Sequence, residues 1–85
     1  MAGNLVGWSY IASKEYDMAL EYLFDALEKD DKIAAIHLNI GLAYKAQEEY
    51  EDALTYFENA IELDEGSIGS RAKAEIVRIE QLREE

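Results

Sequence analysis

The chain has 85 residues, 49% of them hydrophobic, and its 8 basic and 19 acidic side chains leave a net charge of −11. It is long enough for one small domain, too apolar for a disordered segment, and too acidic for a phosphate-binding surface, which needs clustered Lys and Arg. Cysteine is absent, so disulfides and thiolate metal sites are excluded. The opening MAGNLVGWSY has no basic n-region and no apolar run of signal-peptide length. Nothing approaches the roughly 18 apolar residues of a membrane span. A cytoplasmic protein that binds neither nucleic acid nor membrane is expected.

In chain order, Gly3, Val6, Gly7 and Tyr10 recur at i, i+3, i+4, i+7 and predict a helix over residues 2–13. SKEY breaks that pattern. A second helix is predicted from Tyr16 to about Lys29, with Ala19, Leu20, Leu23, Ala26 and Leu27 on one face. DDK is the next break, with Asp31 as the expected N-cap of the third helix. His37, Ile40, Gly41 and Tyr44 then repeat the first face, and Ala53, Leu54, Phe57, Ala60 and Ile61 repeat the second. LDEGSIGS is the third break. Gly66 is expected to close a helix in the left-handed conformation, and Ser67 or Ser70 to cap the next one. A last amphipathic helix is predicted over about 68–84, with Ala72, Ile76, Ile79 and Leu82 apolar.

The two halves superpose at one constant offset without a gap: Gly7 on Gly41, Tyr10 on Tyr44, Tyr16 on Tyr50, Ala19 on Ala53, Tyr22 on Tyr56 and Ala26 on Ala60. Gly7 and Gly41 lie mid-helix, where glycine costs about 1 kcal/mol against alanine. That cost is tolerated where another backbone must come close, and Ala19 and Ala53 read as the other halves of those crossings. Tyr10, Tyr44, Leu23 and Phe57 read as filling the space where the helices splay apart.

These residues resemble the tetratricopeptide repeat signature, W-x2-L-G-x2-Y followed by Ala, an aromatic, Ala and Pro. The second copy follows it as His37, Ile40, Gly41, Tyr44, Ala53, Phe57, Ala60, and the first as Gly3, Val6, Gly7, Tyr10, Ala19, Leu23, Ala26. The departures are Gly3 and His37 in place of Trp, and Asp31 and Glu65 in place of Pro. The resemblance implies an all-α fold, an α-solenoid of two antiparallel helix-turn-helix hairpins plus one capping helix, five helices in all. It divides a single domain, 1–85, into a first repeat at 1–31, a second at 32–66 and a capping helix at 67–85.

No catalytic, cofactor or metal site is read. His37 has no second histidine or cysteine with which to hold a metal or activate a nucleophile, and it sits where the family packs a tryptophan. The carboxylate runs KEYD, KDDK and EEYED stand at helix starts, where negative charge suits the helix dipole. Gly66 and Gly69 are not followed by the lysine of a phosphate loop.

One residue round from the packing stripe lies a second stripe: Asn4, Trp8, Ile11 and Ala12, then Leu38, Leu42, Lys45 and Ala46. Similarity to the family implies that these positions, with Asn39, line a concave groove holding a peptide or helix of a partner protein. The stripe is mostly apolar, so the expected partner offers hydrophobic anchors, and basic residues would suit the acidic surroundings. The clamp that some members use for acidic chaperone tails is not matched. Only Asn39 and Lys73 fall on its positions, while Asn4, Trp8 and Gly69 replace the rest. Two alternatives stand beside the groove: a homodimer that covers the Trp8 patch, or a piece of a longer array. The groove could also be covered from within, by Ile76 and Ile79.

Overall fold

The computed structural model describes residues 15–84. Among these residues there are four helices and no strand: α1 (Tyr16–Lys29), α2 (Ala34–Ala46), α3 (Tyr50–Leu63) and α4 (Ser67–Glu84). The helix expected over residues 2–13, fifth of the expected set, lies outside the described residues. Three or four residues join each helix to the next, so successive helices pack as antiparallel neighbours.

The internal period is visible in the backbone itself. α1 and α3 are both 14 residues long and start at equivalent positions of the two copies, Tyr16 and Tyr50. Their preceding residues, Glu15 and Glu49, share φ near −95° and −92°. Their closing residues, Asp30 and Asp64, are both extended, and each donates its N–H to the alanine four residues back. Each aspartate then bends the chain with its own side chain: Asp30 Oδ1 accepts from Lys32 N at 3.0 Å, and Asp64 Oδ1 accepts from Gly66 N at 2.8 Å. These are Asx turns, in which a short carboxylate stands in for the next backbone carbonyl.

α2 is the centre of the molecule. Ile36 through Gly41 and Ala43 are all buried, as expected of a helix covered nearly all round, and α2 packs against α1, α3 and α4. On one side Ile36 and Ile40 join Ala19 and Leu23 of α1. On the other Leu38 joins Ala53, Phe57 and Ala60 of α3 with Ala72 and Ile79 of α4. Tyr44 packs against both clusters and ties them together.

The turn chemistry differs from the sequence reading in three places. Gly66 does not adopt a left-handed conformation; no described glycine has positive φ. The Asx turn at Asp64 already reverses the chain, so no left-handed residue is needed. Neither Ser67 nor Ser70 caps α4: Asp64 does, reaching Ile68 N with Oδ2 at 3.4 Å. Asp31 does not cap α2 either, because the residue at that position is Ile33, with no side-chain bond.

The left-handed residue is Glu48, φ 63°, at the end of α2. Glu49 N bonds Tyr44 O and Glu48 N bonds Lys45 O, each at 3.0 Å. That pair of bonds is a Schellman ending, normally closed by glycine. A glutamate there carries strain that glycine would not. Glu48→Gly is therefore expected to stabilise the fold by about 0.5–1 kcal/mol. Urea unfolding measures it, and a lower midpoint would mean that the turn is unstrained.

The atoms nearest to Gly41 are those of Phe57. A Cβ on Gly41 would stand 2.6–2.9 Å from three ring carbons of Phe57, so the phenyl ring lies at the crossing itself.

Candidate functional site

The stripe predicted for partner binding falls on α2 in its described half. Leu38 and Asn39 are buried, at 3% and 6% exposure. Leu38 belongs to the cluster with Ala72 and Ile79 of α4, and Leu42 and Ile76 pack against the same cluster while remaining half-buried. Lys45, one turn beyond Leu42, is half-buried and forms an ion pair with Glu75 of α4. Asn4, Trp8 and Ile11 lie outside the described residues. α2 and α4 thus bring Leu42 and Lys45 to one edge, with Leu38 in the core cluster between the helices.

The Lys45–Glu75 pair neutralises the one cation of that stripe and fastens the two helices at their margin. Both side chains are largely shielded from water, so removing either partner would leave a poorly solvated charge. Beside the pair is a cleft of about 290 Å³ lined by Lys45, Arg78, Gln81 and Leu82. Glu75 carried no signal in the sequence: it stands 30 residues from Lys45, and only the packing of α4 along α2 joins them.

On the adjacent packing face of α2 an aromatic row crosses three helices. His37 stacks on Tyr56 at 5.9 Å and 29°, and Tyr56 stacks on Tyr44 at 5.9 Å and 24°. Phe24 of α1 meets Tyr44 and Tyr56 edge-on, at 6.3 and 6.0 Å. Burial, then neighbouring Tyr56 and the carboxylates Asp52 and Glu49, pushes the Tyr44 phenol above its ordinary value near 10. Burial and then Asp52 do the same for Tyr56. Both rings therefore stay uncharged at any ordinary pH, and the row holds α1 to α3 by packing. The coincidence of Tyr22 with Tyr56 in the two copies was the available signal for this row.

His37 itself is buried, at 7% exposure. Its Nε2 lies 2.8 Å from the carbonyl oxygen of Asp31, which can only accept, so the proton sits on Nε2. Nδ1 is then a buried acceptor without a partner among the described residues. The ring packs where the sequence comparison placed a tryptophan, and it adds an anchor for the α1–α2 turn. Among the described residues no group of three His, Asp or Glu side chains is arranged to hold a metal ion. No described helix is long and apolar enough to cross a membrane.

Compared with known families, residues 34–67 match the tetratricopeptide repeat, a span that begins with α2 and ends at the first residue of α4. Residues 34–67 are thus similar to one tetratricopeptide repeat, and the four described helices are consistent with such repeats. Comparison with curated proteins gave no match. α2 and α3 are the two helices of the matched repeat, and α4 follows it. Tetratricopeptide repeats generally mediate protein–protein interaction and are typically non-catalytic.

Proposed function

We propose that the chain is a non-catalytic interaction module, one tetratricopeptide domain over 1–85, whose groove accepts a peptide or helix of a partner protein. Its repeats divide at 1–31 and 32–66, with 67–85 as the capping helix. Asn4, Trp8, Ile11, Leu42 and Lys45 form the contact surface, and Leu38 and Asn39 form its floor. The observation that carries this reading is the edge between α2 and α4. Half-buried Leu42 and the Glu75-neutralised Lys45 stand there on a rigid base, beside an open cleft. A preformed surface loses little conformational entropy on binding, so a few apolar anchors suffice for affinity. The partner supplies those anchors, and basic residues around them gain on-rate from the net charge of −11.

Trp8→Ala and Leu42→Ala are each expected to weaken binding of a peptide selected from a displayed library by more than about 1 kcal/mol, roughly fivefold or more. Trp8 fluorescence reports the wild-type titration and calorimetry the variants. Unchanged affinity in both variants would remove the groove from the account.

A further inference from the structure

The outward face of α1 carries side chains that its own packing does not require. Ala19 and Leu23 are its buried residues, and they meet Ile36 and Ile40 of α2. Turned away from them, Met18, Glu21, Tyr22 and Asp25 recur at i, i+3, i+4, i+7 and line a cleft of about 410 Å³. Met18 and Tyr22 are 45% and 43% exposed, so the cleft has an apolar wall open to solvent. Tyr22 is engaged within the chain, and only the exposed part of its ring forms that wall.

The charges beside the wall oppose one another. Asp17, Glu21 and Asp25 follow at four-residue steps, and like charges at that spacing destabilise a helix. Counted whole, α1 carries these three carboxylates and Glu28 against the single cation Lys29. Lys29 reaches Asp25 at 3.3 Å, a pair exposed on both sides, and Asp17 accepts from Gln47 at 2.9 Å. Glu21 forms no ion pair among the described residues.

The repeat does not impose this stripe. One period on, Asp17, Met18, Glu21 and Asp25 fall on Glu51, Asp52, Thr55 and Asn59. The second copy therefore places a carboxylate at the exposed apolar position and breaks the line of like charges with two neutral side chains. α3 is nonetheless a helix of the same length, so the fold needs neither Met18 nor the Glu21 and Asp25 carboxylates.

We propose that this cleft binds an arginine side chain of a partner protein. The methylene stem lies along Met18, the guanidinium covers the exposed part of the Tyr22 ring, and its N–H groups donate to Glu21 and Asp25. Arginine suits the place better than lysine, because its planar head stacks on a ring while donating to more than one carboxylate. The bound cation relieves the repulsion along Asp17, Glu21 and Asp25, and it displaces only the exposed bond from Lys29. The net charge of −11 favours its approach. The site stands on α1, away from the α2–α4 edge, and does not rest on the groove.

The test titrates the tripeptide acetyl-leucyl-arginyl-leucinamide into the whole isotope-labelled chain at fixed ionic strength, reading amide shifts residue by residue. Shifts are expected to centre on α1. Glu21→Gln with Asp25→Asn is expected to weaken binding about fivefold. Glu58→Gln with Glu62→Gln removes the same charge from exposed positions of α3 and is expected to change affinity by less than about twofold. The lysine analogue of the peptide is expected to bind about threefold more weakly, and the citrulline analogue weaker still. These two peptides leave the protein unaltered, so they decide even if a substituted chain loses helix content by circular dichroism. Shifts centred on α2 and α4, or citrulline binding as well as arginine, would overturn the proposal. So would equal weakening by the two charge-removing variants, or lysine binding as tightly as arginine. Shifts in α1 that appear on concentrating the chain without peptide would assign the face to a second copy, and overturn it too.

Discussion

Replacing Gly41 with alanine is expected to lower the melting temperature by about 10 °C, although alanine is the better helix former. On propensity alone the change would gain about 1 kcal/mol. Against it, the new methyl would stand 2.6, 2.7 and 2.9 Å from three carbons of the Phe57 ring. Phe57 is fully buried among Leu38, Ala53, Ala60, Ala72 and Ile79, so its ring has nowhere to swing. Overpacking of this severity costs about 3 kcal/mol, which leaves a net loss of about 2 kcal/mol. That is a large share of the stability of a small domain. The physical origin is separable from a general intolerance of α2. Shortening the ring with Phe57→Leu should rescue Gly41→Ala, the double variant exceeding additivity by about 1 kcal/mol. A melting temperature that rises in Gly41→Ala, or strict additivity in the pair, would mean that the ring is not what requires the glycine.

The same residues show how far the sequence could be read. α1 runs from Tyr16 to Lys29, the bounds that the apolar period and the KDDK break indicated. Gly41, Ala53, Phe57 and Ala60 were legible as packing residues because small and large side chains recur at one offset. Their pairing was not, since which large residue closes on which small one depends on helix crossing, a property of three dimensions. Turn chemistry was misread for a related reason. Gly66 and the serines look like caps by residue type, whereas the working caps are Asp30 and Asp64, which occupy the same place in the two copies. The period held the answer where residue preference did not. For the candidate site, the sequence marked the α2 stripe but could not fix the rotation of α4. That rotation buries Leu38 and brings Glu75 onto Lys45. No local pattern encodes a contact across 30 residues.

Gly69→Ala is the substitution expected to cost most, about 3 kcal/mol or more, with its damage concentrated in α4. A Cβ there would lie 2.2 Å from the backbone oxygen of Asp64 and 3.6 Å from the Cα of Ile61. These obstacles are main chain, and no rotamer change can relieve them. Asp64 is moreover pinned at three points: its N–H on Ala60 O, and its carboxylate on Gly66 N and Ile68 N. The first turn of α4 must therefore lift away from the end of α3, drawing Ala72 and Ile79 out of the core and separating Glu75 from Lys45. Amide exchange should show α4 losing protection well before α1, and groove ligands should weaken together with it. Gly66 supplies the control three residues earlier. Its φ is not positive, and the nearest neighbour of an added Cβ is the movable Asp64 Oδ1 at 3.0 Å, so Gly66→Ala is expected within about 1 kcal/mol of wild type. Equal stability of the two variants would show that the α3–α4 junction yields, and that α4 is held by its apolar stripe alone.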